Sequence, residues 1–300
     1  LNVAWPVCVR LSPILAGCLL MLVAAVVGVL DIIAVRLIGG RVHPFEIVFF
    51  RNLFSLLALM VLLPRPQWHL RGGGLWPLHI ARAVLKLFAL GASFIAIGQL
   101  PLATVTAIGF TTPVFAVVGA VLVLHERVRW PQMLALLIGF VGVLVVVRPD
   151  MGAPDWNLLY AFASALALAA VMLLLKASAD REDARRVTWL NLVLSVPLAG
   201  LMCLPFWSGP APLDLAIMAI QGIGGVLAQL SVSAAMRMSR ASVLIIVDFI
   251  RLPLAIGAGV LLFGESLDGP IVAGAALILV SLLLNGLVAS RHRDVVAPPG

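Results

Sequence analysis

Apolar residues come in ten runs along the chain, at about 13–35, 45–63, 77–98, 102–124, 131–147, 157–175, 188–206, 215–236, 241–263 and 270–289. A helix of about 20 apolar residues spans a bilayer core, so each run predicts a membrane-crossing helix. The connections are short and marked by Gly, Pro and charge, as in "LPRPQWHLRGGG" (63–74), "VRPDMGAPDW" (147–156) and "FWSGPAPLD" (206–214). None is long enough for a soluble domain. The closing "RHRDVVAPPG" (291–300) is expected to be a disordered cytoplasmic tail. The first run is too long for a signal-peptide core and no clear small-x-small cleavage site follows, so it is expected to remain as a helix.

One pattern occurs twice. "PLATVTAIGFTTPVFAVVGAVLVLHE" (101–126) and "SRASVLIIVDFIRLPLAIGAGVLLFGE" (239–265) both begin with a small and a hydroxyl residue, Ala103-Thr104 and Ala241-Ser242. Each carries a central proline, Pro113 or Pro253, and each ends at a glutamate, Glu126 or Glu265. The offsets are 138, 140 and 139 residues. The copies fall in the fourth and ninth runs. Five crossings apart is an odd number, so the copies point in opposite directions. An inverted repeat of this kind is a signature of secondary transporters. The expected fold is an all-α membrane protein: ten transmembrane helices as two inverted five-helix repeats, 1–149 and 150–290, around a central cavity.

Composition agrees. Of 300 residues, 63% are hydrophobic and 11% charged, and the mean hydropathy is +1.16. Soluble domains are roughly 45–50% apolar and about 25% charged. The net charge of +7 does not point to nucleic acid, because the basic residues are scattered between apolar runs. It reads instead as a topology signal. With the N-terminus inside, 13 Lys and Arg fall in cytoplasmic segments and three (Arg36, Arg41, Arg148) in outer loops. Both termini are therefore expected in the cytoplasm. Cys8, Cys18 and Cys203 have no ligand spacing and read as packing residues. No metal or cofactor motif is present.

These residues resemble the drug/metabolite transporter superfamily, in its two-repeat EamA branch. The likeness rests on Pro113 and Pro253, on Gly264-Glu265 (His125-Glu126 in the first half), and on the apolar helices that follow, "PQMLALLIGFVGVLVVV" (131–147) and "GPIVAGAALILVSLLLNGL" (269–287). It also takes in "FFRNLFSLLALMVLL" (49–63), with an arginine early in the second helix. The resemblance implies ten helices, a bacterial-type inner (plasma) membrane, and alternating access around a central cavity. It implies a small metabolite as substrate, an amino acid or organic anion, with export favoured over import.

Six ionisable residues lie inside the runs: Asp31, Arg51, Arg82, Lys86, Asp248 and Arg251. Such groups are costly in a bilayer and mark cavities or ion pairs. Lys86 lies about 14 Å into the third helix, near the midplane of a ~30 Å core. His79, Arg82 and Lys86 are spaced by three and four and share a face. Arg51 lies about 10 Å deep in the second helix, facing either the cavity or an ion-pair partner, Glu46 or Asp31. Asp248 and Arg251 can touch on the ninth helix. That pair is either self-neutralising or broken by substrate or by a proton, and Arg251 works against proton coupling. The candidate substrate-binding residues are thus Arg51, Arg82, Lys86, Asp248 and Arg251. Four cations against two anions favour a carboxylate- or phosphate-bearing substrate, anionic or zwitterionic.

Pro113 and Pro253 lack N–H groups and are expected to kink their helices beside the cavity, with Thr111 and Thr112 as local hydrogen-bond donors. Gln229 and Asn285 read as interhelical hydrogen-bonding residues, and the glycines at 139, 142, 257 and 259 as close-packing positions. An enzyme such as a membrane transferase would need a nucleophile, an acid/base pair or a metal cluster. HExxH, GxSxG and carboxylate-rich loops are all missing, so no catalytic residue is assigned. A channel is the third reading, disfavoured by the asymmetric placement of Arg51 and Lys86.

Overall fold

The structure, a computed structural model, describes residues 12–62, 76–125, 130–148, 155–178, 184–238, 244, 247–248 and 250–296. Among these there is no strand. The elements are α1 (Pro13–Ile38), α2 (Pro44–Leu62), α3 (Trp76–Gln99), α4 (Leu102–Gly109), α5 (Thr112–Leu124), α6 (Trp130–Val147), α7 (Trp156–Ser178), α8 (Ala184–Cys203), α9 (Pro212–Met238), α10 (Arg251–Phe263) and α11 (Gly269–Val296). A 3-10 turn, Leu204–Phe206, follows α8. Among the described residues, seven segments are long and apolar enough to cross a membrane, one of them Leu102–Val123, which joins α4 and α5. Three shorter apolar helices, Met133–Val147, Arg251–Phe263 and Gly269–Ser281, complete the ten expected. Large apolar side chains point outward, with Leu261 84% and Val61 79% exposed. Lipid is the solvent that suits such a surface.

The local chemistry explains several boundaries. Ser12 caps α1, its Oγ accepting from the Leu15 N–H at 3.3 Å, and Pro13 opens the helix where its missing N–H costs nothing. The fourth run is broken rather than merely kinked. α4 stops at Gly109, Phe110 and Thr111 form a turn, and α5 starts at Thr112 with Pro113 in its first turn. Proline cannot donate to the ladder. The Thr111 hydroxyl donates to the Ile108 carbonyl at 2.6 Å and satisfies part of the interrupted turn. Pro253 likewise sits in the first turn of α10, after Ile250 N–H bonds to the Val247 carbonyl at 3.2 Å. Ala241, Ser242 and Glu126 of the repeated pattern lie outside the described residues, as does the side chain of Asn285. The last helix runs to Val296, into the stretch read as a disordered tail. No breaker interrupts a helix already propagating until the proline at 298.

Helices α1–α6 pack on helices α7–α11 in several pairs, beside contacts within each group such as α4 with α6 and α2 with α3. α6 lies along α11, α1 along α9 and α10, α3 along α7 and α8, α2 along α8 and α9, α5 along α7, and α4 along α10. Written by run, these are 5 with 10, 1 with 8 and 9, 3 with 6 and 7, 2 with 7 and 8, 4 with 6, and 4 with 9. Adding five to each number, cyclically, carries these pairs onto one another; the smaller contact of α4 with α11 and the contacts within each group fall outside this pattern.

Two glycines make the α6–α11 contact. A Cβ on Gly142 would stand 2.9 Å from the Gly274 carbonyl oxygen, and one on Gly274 would stand 2.5 Å from the Gly142 carbonyl oxygen. Gly139 similarly makes room for Ser281. Gly257 has nothing within 4 Å, so it is not a packing position. Gly274→Val is expected to destabilise the bundle by about 1–3 kcal/mol through overpacking, while Gly257→Ala changes it little. Thermal unfolding in detergent checks the pair; equal midpoints would contradict the contact.

The main buried cluster sits towards one end. It includes Val35, Ile38, Ile47, Ile97, Leu100, Leu102, Val146 and Met218, near the finish of α1, α3 and α6 and the start of α2, α4 and α9. The opposite end, where α2 and α7 finish and α3 and α8 begin, is where a cavity remains.

Candidate functional site

Five helices, α2, α3, α7, α8 and α9, surround a cavity of about 410 Å³. Its lining runs from mid-depth (Arg51, Leu90, Gly225) towards the end where α3 and α8 begin (Arg82, Thr188). The walls are largely aliphatic, with Leu59, Leu168, Val171, Met172, Leu192 and Val226 among them. Polar groups enter from each helix except α7: Arg51, Asn52 and Ser55 from α2; Arg82 and Lys86 from α3; Thr188 and Asn191 from α8; Gln229 and Ser233 from α9.

Three of the five expected binding residues therefore meet here. Arg82 and Lys86 reach the cavity from one face of α3, as their spacing predicts. The Arg82 guanidinium lies 2.7 Å from His79 Nδ1, and both residues are buried, at 2% and 4% exposure. His79, on the same face, buttresses Arg82. Arg51 lines the cavity and is also ion-paired, its Nε 3.1 Å and an Nη 3.4 Å from the two Asp31 carboxylate oxygens. Of the two partners open from the sequence, Asp31 is the one chosen. No carboxylate occurs among the described lining residues.

Asp248 and Arg251 do touch, at 2.7 Å, but they do not line this cavity. Their place is by α1, where the Arg251 guanidinium lies over Gly28. Pro113, Pro253, Thr111 and Thr112 do not line it either. Both prolines are exposed and both threonines buried against the protein. Phe94 belongs to the core, and Phe110 and Phe115 pack on it.

A family model described as the EamA-like transporter family matches residues 15–148. The riboflavin transporter of Rhizobium johnstonii is 31% identical, over 68% of this chain and 68% of that protein. This chain belongs to the EamA-like transporter family. The S-adenosylmethionine uptake transporter of Rickettsia conorii is 25% identical, over 84% of this chain and 86% of that protein. One crystal structure superposes with a TM-score of 0.59 at 19% identity, covering 93% of this chain and 97% of the other, a likeness of fold.

In this EamA-like transporter the end away from the larger cavity is laced by polar contacts. Arg36 donates to the carbonyls of Ile97 at 2.6 Å and Leu100 at 3.0 Å, the last turn of α3 and its exit. Both Glu265 oxygens accept from the Leu102 N–H at 3.0 Å, capping α4 from a residue 163 positions away, with Arg36 3.9 Å from the same carboxylate. Glu46, fully buried, accepts from the Ser208 N–H at 2.9 Å and its hydroxyl at 2.6 Å. Arg41 pairs with Asp214 at 2.7 Å and Arg148 with Asp268 at 3.4 Å. The His43 ring stacks on Phe206 at 4.0 Å; burial lowers its pKa more than nearby Glu46 raises it. The sequence pattern places Arg36 among the outer-loop charges and does not reach its role here, nor Asn52 and Asn191 on the cavity wall.

Proposed function

We propose that this chain is a secondary transporter that carries a small organic anion across the plasma membrane by alternating access, with Arg82 and Lys86 as the anion-binding pair. The observation that carries the reading is the excess of positive charge that Lys86 brings to a cavity it shares with Arg82 and the Asp31-paired Arg51, with no carboxylate among the described lining residues. In a low-dielectric pocket such an excess attracts negative charge strongly. S-adenosylmethionine bears a net positive charge and suits such a cavity poorly, so the substrate differs from that of the rickettsial relatives. Their name, uptake transporter, weighs for import against the export expected from the sequence. Most of the helix contacts between the first five and the last five runs pair up under a five-run shift, which favours two inverted repeats, 1–149 and 150–290. With the charge-based orientation, the cavity faces the cytoplasm and the laced end faces out. Asp248 is the candidate for proton coupling, through release from Arg251.

The test is counterflow in liposomes with amino acids, organic acids, phosphorylated metabolites and S-adenosylmethionine, beside Lys86→Ala. The expected result is saturable uptake of a carboxylate or phosphate, reduced roughly 10- to 100-fold in the variant as a charged hydrogen bond is lost. Uptake of a cation that ignores Lys86 would remove the anion assignment.

A further inference from the structure

Asn52 on α2 and Asn191 on α8 both line the cavity and are only 2% and 6% exposed. Among the described residues, Asn52 Nδ2 and Asn191 Oδ1 have no hydrogen-bond partner. Burying an amide atom without a partner is costly, and native chains rarely keep such groups without a use.

The two positions are related. Asn191 follows Asn52 by 139 residues, within the offsets of the repeated proline pattern. Each opens a similar phrase, Asn52-Leu53-Phe54-Ser55 and Asn191-Leu192-Val193-Leu194-Ser195. Each asparagine is some seven or eight residues into its helix, about 10–12 Å. The two helices start from opposite ends, so both amides stand near mid-depth. One leaves a donor open and the other an acceptor. A primary amide can present either edge by turning about its last bond, so the pair offers one donor and one acceptor together.

We propose that Asn52 and Asn191 form an amide clamp for a neutral donor–acceptor edge of the transported molecule, an amide, lactam or ureide group. This rests on the anion reading above. Arg82 and Lys86 hold the charge, while the asparagines hold the edge. The ligand class is thus an anion carrying an amide-like edge.

Three probes separate the parts: orotate (carboxylate and lactam edge), benzoate (carboxylate alone) and uracil (lactam edge alone). Binding to the full-length protein in detergent is measured by titration calorimetry. Wild type is expected to bind orotate more tightly than either fragment. Asn52→Leu and Asn191→Leu should each weaken orotate roughly 10- to 100-fold, yet leave benzoate within about twofold. Lys86→Ala should weaken orotate and benzoate alike. If a leucine variant does not fold, Asn52→Ser and Asn191→Ser replace it and should still lower orotate affinity selectively. Orotate binding no tighter than benzoate, or asparagine variants that weaken both acids equally, would overturn the clamp and leave the anion reading standing. Uracil binding lost in the asparagine variants, with neither acid bound, would keep the clamp and remove the anion reading. Binding of none of the three overturns both.

Discussion

Asp31→Ala is expected to destabilise the protein by about 3–5 kcal/mol, the usual result of stripping one partner from a buried ion pair. Asp31 on α1 and Arg51 on α2 are 15–19% exposed in their side chains and 3.1 Å apart. The guanidinium lies about 10 Å into α2, too deep to reach the headgroups easily. Without Asp31 its charge is uncompensated. Because Arg51 also touches the cavity, water can reach part of it, and the loss should fall at the low end of the range. Arg51→Ala alone strands the carboxylate and should cost a similar amount. The double change Asp31→Ala with Arg51→Ala removes both charges and should cost less than the two single losses together. A double-mutant cycle on unfolding free energies measures this. Additive losses would mean that the two groups do not stabilise each other.

Glu265→Ala should open the end of the bundle opposite the cavity. This carboxylate connects the chain after α10 to the start of α4, through the Leu102 N–H, while facing Arg36. Its seat is built locally. Gly264 ends α10 at φ 66°, a conformation a side chain would strain, and the Glu265 N–H returns to the Gly259 carbonyl at 3.0 Å. Gly259 has no Cβ where the Glu265 carboxylate lies, so Gly259→Ala should act like Glu265→Ala by pushing the carboxylate off its donors. A hydrogen bond to a charged group contributes about 1.5–3 kcal/mol, a shift of roughly 10- to 100-fold between closed and open forms. The readout is maleimide labelling of Thr104→Cys in a cysteine-free background. Thr104 lines a smaller, 270 Å³ cavity at this end, beside Glu265. Labelling should quicken in both variants, and by less in Glu265→Gln, which keeps an acceptor. Unchanged rates in both would show that this contact does not hold the end closed.

The residues at the cavity and in the ion pairs differ in how well the sequence placed them. Arg82 and Lys86 were legible because depth and helical face follow from counting residues along one helix. The contact of Asp248 with Arg251 was legible for the same reason. The Arg51–Asp31 choice was not, because Glu46 lies on the same helix as Arg51 and competes on paper. In the molecule Glu46 is occupied by Ser208, 162 positions along the chain. Asn52 and Asn191 went unread because asparagines in an apolar run resemble ordinary interhelical hydrogen-bonding residues. The signal that exposes them, their shared 139-residue offset, was present in the sequence beside the proline pattern.

The amino-acid sequence by itself determined the ten apolar runs, the places where Pro113 and Pro253 disturb their helices, and the depth of each buried charge. These depend on hydrophobic length, on a missing N–H and on a constant helical rise, all local quantities. Only the tertiary structure decided which helices touch, which carboxylate each arginine takes, and that Asp248 and Arg251 stand apart from the cavity that gathers Arg51, Arg82 and Lys86. The reason is physical. Lipid and protein interior are both apolar, so a membrane helix carries little record of which face turns inward. Its rotation and its neighbours are settled by close packing, as at Gly142 and Gly274, and by polar contacts that bridge more than a hundred residues.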